Sequence, residues 1–249
     1  MEQIKSVFKI LGGVLSLSVI TPIIIAHLIL MLPFRLRRIR ACNYYGHVVG
    51  RYLVWITGSK VDLHGKERLN PDRPAIYVAN HASILDIFLA VWLAPVGTVG
   101  VGKKEVVYYP FFGQAYFLSG HLLVDRGNNA KAIQSLNRLV KVVRKNRLSI
   151  FIWPEGTRSR SGRLLNFKKG VAHLAIQTGL PVVPLVFHGT HKCWEKNSLK
   201  LIGVPVRVDV LPEIETTNWK LETIRDHLAQ IRQAFIDVLP PDQKPIPIR

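Results

Sequence analysis

In the stretch Asn80–Asp86, N-H-A-S-I-L-D, an imidazole and a carboxylate stand five residues apart. On one regular helix that separation turns through roughly 500°, about 140° out of register, so the two side chains would not share a face. They can meet only if His81 precedes a helix and Asp86 lies in its first turn. The carboxylate would then reach back to one ring nitrogen and fix the tautomer, leaving the other nitrogen as a general base. A plainer role is written into the same residues: Ser83-Ile84-Leu85-Asp86 is a capping-box pattern ahead of an apolar run. Capping and orienting are compatible roles for Asp86, and the pattern alone does not separate them. With capping alone, His81 would be an ordinary loop histidine.

Three further stretches carry polar groups or support for them. Gly120-His121-Leu122-Leu123-Val124-Asp125-Arg126, preceded by Phe111-Phe112-Gly113, reads as a strand that ends in an acid and a base, which alone could be a surface ion pair. Trp153-Pro154-Glu155-Gly156-Thr157-Arg158-Ser159 reads as a strand followed by a turn rich in polar side chains and exposed backbone N–H groups, a suitable seat for an anion. Leu180-Pro181-Val182-Val183-Pro184-Leu185 carries no chemistry and reads as a buried supporting strand.

The elements that must position these groups alternate along the chain. Strand-like runs at Ala75–Ala79, Thr98–Val101, Leu122–Val124, Ile150–Trp153, Val182–Phe187 and Val206–Val210 are interleaved with helical stretches at Ile84–Leu93, Ala130–Lys145, Gly170–Gln177 and Leu221–Val238. That alternation is an α/β pattern, in which ligands gather at the carboxyl ends of the strands. Residues 59–249 are expected to form the α/β domain and residues 1–58 a separate set of N-terminal helices. The residues from Pro240 onward are proline-rich and read as a frayed tail.

Composition narrows the partners. A formal charge of +18, from 34 Lys and Arg against 16 Asp and Glu, calls for an acidic partner: nucleic acid, anionic lipid or a phosphorylated substrate. No Asp, Glu, Lys or Arg occurs from Ile10 to Phe34, about 25 positions, long enough to span a bilayer, which favours the membrane. Gly12-Gly13 and Thr21-Pro22 interrupt this run, so two shorter helices dipping into one leaflet are the alternative to a span. Lys5 and Lys9 precede the run and Arg35, Arg37, Arg38 and Arg40 follow it, so the positive-inside rule puts the following residues in the cytoplasm, with the four arginines facing anionic headgroups. Asn43–Gly58 reads as a helix lying along the membrane surface. The two cysteines, Cys42 and Cys193, have no metal-ligand spacing and no disulfide framework, and no metal site is expected. The basic run Lys131, Arg138, Lys141, Arg144, Lys145 and Arg147 reads as the solvated face of a helix, a possible dock for an acidic carrier protein or anionic lipid.

Taken in order and at these separations, N-H-x-x-x-x-D, F-F-G with the strand ending Asp125-Arg126, W-P-E-G-T-R-S and L-P-V-V-P-L resemble the motifs of the glycerolipid acyltransferases, most closely the bacterial 1-acyl-glycerol-3-phosphate acyltransferases. The resemblance covers roughly residues 61–210. Trp153 stands where that family usually has phenylalanine, and Val124 where it usually has isoleucine. It implies a mixed, mostly parallel sheet flanked by helices, preceded by a membrane-embedded helical segment. It further implies His81 as the base that takes the proton from an acceptor hydroxyl attacking an acyl thioester, and Asp86 as its orienter. Lys103 would stabilise the oxyanion. Arg126 and Arg158 would hold the acceptor phosphate, with Glu155, Gly156 and Thr157 shaping that turn. The acceptor is expected to be lysophosphatidic acid, or another lysophospholipid or lyso-aminolipid. The donor would be acyl-CoA or acyl carrier protein, and no cofactor is called for. The expected setting is the inner membrane, with the catalytic part facing the cytoplasm and membrane lipids as partners. A nucleic-acid-binding protein would share the charge, but no helix-turn-helix, RNP or zinc-finger signature is present. A non-catalytic membrane scaffold would have no use for His81 beside an orienting acid.

Overall fold

The computed structural model describes residues 2–125, 127–194 and 200–246. Seven strands form one sheet: β1 (Lys60–His64), β2 (Ile76–Ala79), β3 (Thr98–Lys103), β4 (Leu122–Val124), β5 (Ser149–Ile152), β6 (Val182–His188) and β7 (Pro205–Val210), in the spatial order β1-β7-β6-β2-β5-β3-β4. Every pairing is parallel except β6 with β7. The sheet is therefore mixed and mostly parallel, as the resemblance implied. The chain runs from β2 out to β3 and β4, returns to β5, then crosses β2 to reach β6, so the strand order reverses around β2. Such a reversal opens a crevice at the carboxyl ends of the central strands.

The helices are α1 (Glu2–Leu30), α2 (Arg35–Thr57), α3 (Leu85–Leu93), α4 (Phe112–Leu118), α5 (Asn129–Asn146), α6 (Gly170–Thr178) and α7 (Ile224–Val238). Because side chains alternate across a strand, β2 feeds both faces of the sheet: Ile76 and Val78 pack with Leu139, Val143, Leu174, Ile231 and Phe235 of α5, α6 and α7, while Tyr77 and Ala79 pack with Leu85 and Leu89 of α3. A strand covered on both faces reads as an unbroken apolar run, which is why β2 and β6 are plain in the sequence. Strand β1, Lys-Val-Asp-Leu-His, lies at the sheet edge with alternately exposed residues and gave no such run.

The N-terminal helices take one of the two forms left open and depart from expectation in two respects. Helix α1 is continuous through Gly12, Gly13 and Pro22; at about 1.5 Å per residue its 29 residues reach roughly 43 Å. It is long and apolar enough to cross a membrane, and an 18-residue stretch within Gln3–Leu30 has a mean hydropathy of 2.2. The first departure is that α2 starts at Arg35, well before the expected Asn43, and runs back antiparallel to α1. Lys9 Nζ donates to the Thr57 carbonyl at 3.0 Å, Ser16 and Tyr52 hydroxyls meet at 2.6 Å, and His27 pairs with Tyr45. One face of α2 is not free for a membrane surface, because Gly46 and Gly50 let it lie directly on α3. A Cβ at either position would stand 2.7 or 2.6 Å from the carbonyl oxygens of Val91 and Phe88. The second is that two of the four arginines expected at headgroups are engaged within the protein: Arg35 donates to the Gly120 carbonyl at 2.9 Å and Arg38 to that of Leu118, at the carboxyl end of α4. Arg37 and Arg40 are exposed.

The basic residues of α5 are all exposed, as a solvated face requires. Residues 239–244, after α7, are not frayed, whereas the last part of the expected tail, residues 247–249, lies outside the described residues. Gln243 is 1% exposed and is bonded to the body of the domain, a point taken up below.

Candidate active site

His81 is the second residue past the end of β2 and Asp86 is the second residue of α3, so the turn between them folds the two side chains together. His81 Nδ1 lies 3.0 Å from Asp86 Oδ2. The same oxygen accepts the backbone N–H groups of Ala82 at 2.6 Å and Ser83 at 2.7 Å, while Ser83 Oγ accepts that of Leu85 at 3.3 Å. The cap and the orienter are thus one group: the carboxylate that satisfies the amides of the turn also receives the imidazole. Asp86 is wholly buried, whereas the His81 side chain is 11% exposed, so the ring has one edge open to the crevice. With Nδ1 occupied, Nε2 is the nitrogen on that edge; it makes no hydrogen bond among the described residues.

The ring is held from two other directions. Trp153, the residue after β5, stacks on it with centroids 4.6 Å apart and planes 23° from parallel. Its backbone is tied to the turn beyond Trp153: His81 N donates to Glu155 Oε1 at 2.8 Å and the His81 carbonyl accepts Ser159 N at 2.7 Å. Asn80 closes the other side. Its side chain donates to the Phe187 carbonyl at 2.9 Å and accepts Phe187 N at 2.8 Å, locking the end of β2 to β6. Sequence reading singled out neither Asn80 nor the stacking role of Trp153. An asparagine at a strand end next to a candidate base is the only signal the first gives.

Glu155 is buried, and both of its oxygens are used, the second accepting Leu165 N at 3.1 Å. Burial pushes its carboxyl up to about 7; the two amide bonds and Arg232 pull it back down, while Asp86 adds to the rise. It lies beneath the loop rather than on its rim. Gly156, with φ +74°, turns the chain there, Thr157 is exposed, and Arg158 is half-buried with no hydrogen bond or ion pair among the described residues. Lys103 ends β3, one strand beyond β5, with its ammonium 5.6 Å from the centre of the Tyr109 ring. Next to it at the end of β4, Asp125 pairs with Lys104 at 2.9 Å and accepts Gly127 N at 3.1 Å. Arg126 lies outside the described residues. The sheet order therefore brings the carboxyl ends of β2, β5 and β3 side by side, with the parallel strand β4 beyond. His81, Asp86 and Glu155 form a hydrogen-bonded cluster; Arg158 is on the loop that meets it through Ser159 N, and Lys103 ends a strand at the same edge of the sheet.

Among the described residues no group of three or more His, Cys, Asp or Glu side chains is placed to hold a metal. What remains is an oriented, partly exposed imidazole past the end of β2, with an uncommitted guanidinium on the loop after β5 and an ammonium at the end of β3. That set can deprotonate a hydroxyl, hold an anion and meet developing negative charge.

Known proteins resemble this chain in sequence and in fold. The acyltransferase family profile matches residues 60–188. The 1-acyl-sn-glycerol-3-phosphate acyltransferase of Cocos nucifera is 46% identical over 98% of this chain and 78% of its own length. The enzyme of that name from Salmonella typhimurium is 38% identical over 76% of each chain. The fold is also that of the crystal structure of the 1-acyl-sn-glycerophosphate acyltransferase PlsC from Thermotoga maritima, with a TM-score of 0.76 at 22% identity, over 93% of this chain and 94% of that one.

Proposed function

The chain belongs to the acyltransferase family, and from that premise we propose that it moves a fatty acyl group from an acyl thioester to the sn-2 hydroxyl of 1-acyl-glycerol-3-phosphate, giving phosphatidic acid. The observation that carries this reading is the buried Asp86 carboxylate held 3.0 Å from His81 Nδ1. Nδ1 donates to the carboxylate, so the Nε2 lone pair takes the proton of the acceptor hydroxyl as its oxygen attacks the thioester carbonyl. The tetrahedral intermediate collapses with cleavage of the C–S bond, and the imidazolium returns the proton to the leaving thiolate. Asp86 stabilises the imidazolium during the interval. No covalent enzyme intermediate is needed, because Cys193 is buried with its thiol 3.4 Å from the Ser59 hydroxyl, and Ser83 serves the cap.

In this reading Lys103 meets the oxyanion, and Arg158, joined by Arg126, binds the acceptor phosphate through charge-assisted hydrogen bonds. Glu155, with Gly156 and Thr157, sets the shape of the loop; its two occupied oxygens favour holding the loop over touching the acceptor. Residues 1–58 form the membrane-associated part and residues 59–249 the catalytic part, which faces the cytoplasm at the inner membrane. The donor is acyl-CoA or acyl carrier protein, and no cofactor takes part.

Purified protein incubated with 1-acyl-glycerol-3-phosphate and a mixture of the two donor types, followed by mass spectrometry of the lipids, tests the whole reading. Phosphatidic acid carrying the donor's chain is the expected product. Its absence with both donors overturns the proposal.

A further inference from the structure

The loop that carries Arg158 runs from Pro154 to Lys169 without helix or strand. Left to itself, such a segment would lose substantial conformational entropy when it closed on a ligand. Its near end is pinned to the catalytic histidine by the bonds of Glu155 and Ser159 to the His81 backbone. The far end is pinned from an unexpected place, the segment after α7. Leu164 N donates to the Gln243 carbonyl at 2.8 Å, and Arg163 Nη1 donates to the carbonyls of Lys244 at 2.8 Å and Pro241 at 3.2 Å.

The buried Gln243 side chain then joins this segment to β6. Its Oε1 accepts Gly189 N at 2.7 Å and its Nε2 donates to the Phe187 carbonyl at 3.3 Å. That carbonyl is the one Asn80 also grips, one residue before His81. The contacts close a circuit, from His81 through Glu155 to Leu165, from Leu164 to Gln243, and from Gln243 through Phe187 to Asn80. A buried glutamine whose amide is spent on two backbone groups adds little apolar burial. What it adds is a fixed distance between the loop and the strand beside the histidine.

We propose that residues 240–244 act as a clasp on the acceptor loop, with Gln243 as a positioning residue that holds Arg158 in place over His81 before the acceptor arrives. This rests on the reading of Arg158 as a phosphate ligand. The clasp itself touches no substrate: its effect falls on acceptor binding and leaves donor binding alone.

The test uses the full chain with Gln243→Ala, Arg163→Gln and the double variant. Arg163→Gln changes a partly exposed loop residue and serves where Gln243→Ala fails to fold. Each variant is expected to raise the acceptor KM about three- to tenfold while the donor KM stays within about twofold. Since both substitutions free the same segment, the double variant is expected to lose little more than the worse single one. Amide exchange at Leu164 and Leu165 should quicken about tenfold or more, with no change in Ile76–Ala79. Unchanged acceptor KM, or faster exchange spread evenly over loop and sheet, overturns the clasp. Should the wild-type protein transfer no acyl group, the acceptor reading of Arg158 fails, and the exchange measurement still decides whether the segment holds the loop.

Discussion

Asp86 Oδ2 receives three donors at once, the imidazole N–H of His81 at 3.0 Å and the amides of Ala82 and Ser83 at 2.6 and 2.7 Å. A single buried oxygen thus fixes the histidine's tautomer and the shape of the turn that presents it. His81→Ala should lose about 100- to 10,000-fold in kcat while remaining folded, with a lower melting temperature because the stack on Trp153 and the partner of the buried Asp86 carboxylate are lost. Asp86→Asn should lose somewhat less activity but should also melt lower, because a neutral amide oxygen is a weaker partner for two amides and the ring. Turnover by His81→Ala above about a tenth of wild type would rule out the base.

The guanidinium of Arg158 has no partner among the described residues, and the family resemblance pairs it with Arg126 as a ligand of the acceptor phosphate. A lysine at either position cannot reproduce bidentate bonding to a phosphate. Arg126→Lys and Arg158→Lys are each expected to raise the acceptor KM about tenfold, roughly 1.4 kcal/mol, with the donor KM nearly constant. An acceptor without phosphate should be poor with wild type and lose little more in the variants. Equal losses with both acceptors would show that the arginines support the fold instead.

Burial raises the Glu155 carboxyl from 4.5 to about 7. The folded protein therefore keeps this proton to higher pH than the unfolded chain does. Glu155 favours the folded state fully below about pH 4.5, and that contribution fades as pH rises through about 7, on the order of 3 kcal/mol in all. Urea midpoints of wild type and Glu155→Gln at pH 5, 6, 7 and 8 isolate the effect from every other ionisable group, since the two proteins share them all. The wild type should lose stability relative to Glu155→Gln as pH rises across this window; parallel curves would show that the carboxyl titrates as an exposed one does.

If α1 enters the bilayer, full-length protein should resist carbonate washing at high pH. Its exposed residues Phe8, Leu15, Val19, Ile23 and Leu30 would otherwise face water. Protein released by the wash would be peripheral, and insertion would be wrong.

Much of this site was legible because its chemistry is local. His81 and Asp86 lie within one strand-turn-helix unit, and a five-residue separation already forbids one helix and demands a turn. The strands were legible where both faces are covered, as in β2 and β6. What the sequence hid depends on pairing across long separations. Strand β1 has a mixed pattern and gains its identity only from lying beside β7. Helix α4 is short and begins after Phe111 at φ +65°, a conformation that no local propensity announces. Gln243 is a single polar residue in a proline-rich stretch, which resembles a loose tail until its amide is seen to join Gly189 and Phe187. Arg35 and Arg38 looked like headgroup ligands because the carbonyls they cap lie 85 and 80 residues away.

The seat of α2 on α3 offers a last test, because α3 carries Asp86 in its first turn. At Gly50 an added methyl would meet the Phe88 carbonyl at 2.6 Å and Trp92 N at 2.8 Å, backbone atoms that move only if the helices part. Gly50→Ala should therefore cost about 1–3 kcal/mol, a fall in melting temperature of roughly 3–10 °C, although alanine is the better helix former. Gly12 on α1 is the control: a Cβ there meets nothing within 4 Å, so Gly12→Ala should be neutral or stabilising. The strain also has a route to the chemistry, since Phe88 follows Asp86 by two residues and a shifted α3 moves the carboxylate away from His81. Gly50→Ala is accordingly expected to lower kcat with little change in either KM, a pattern opposite to that of Arg158→Lys. Equal melting temperatures for the two glycine variants would mean that α2 rests on α3 more loosely than the contact implies.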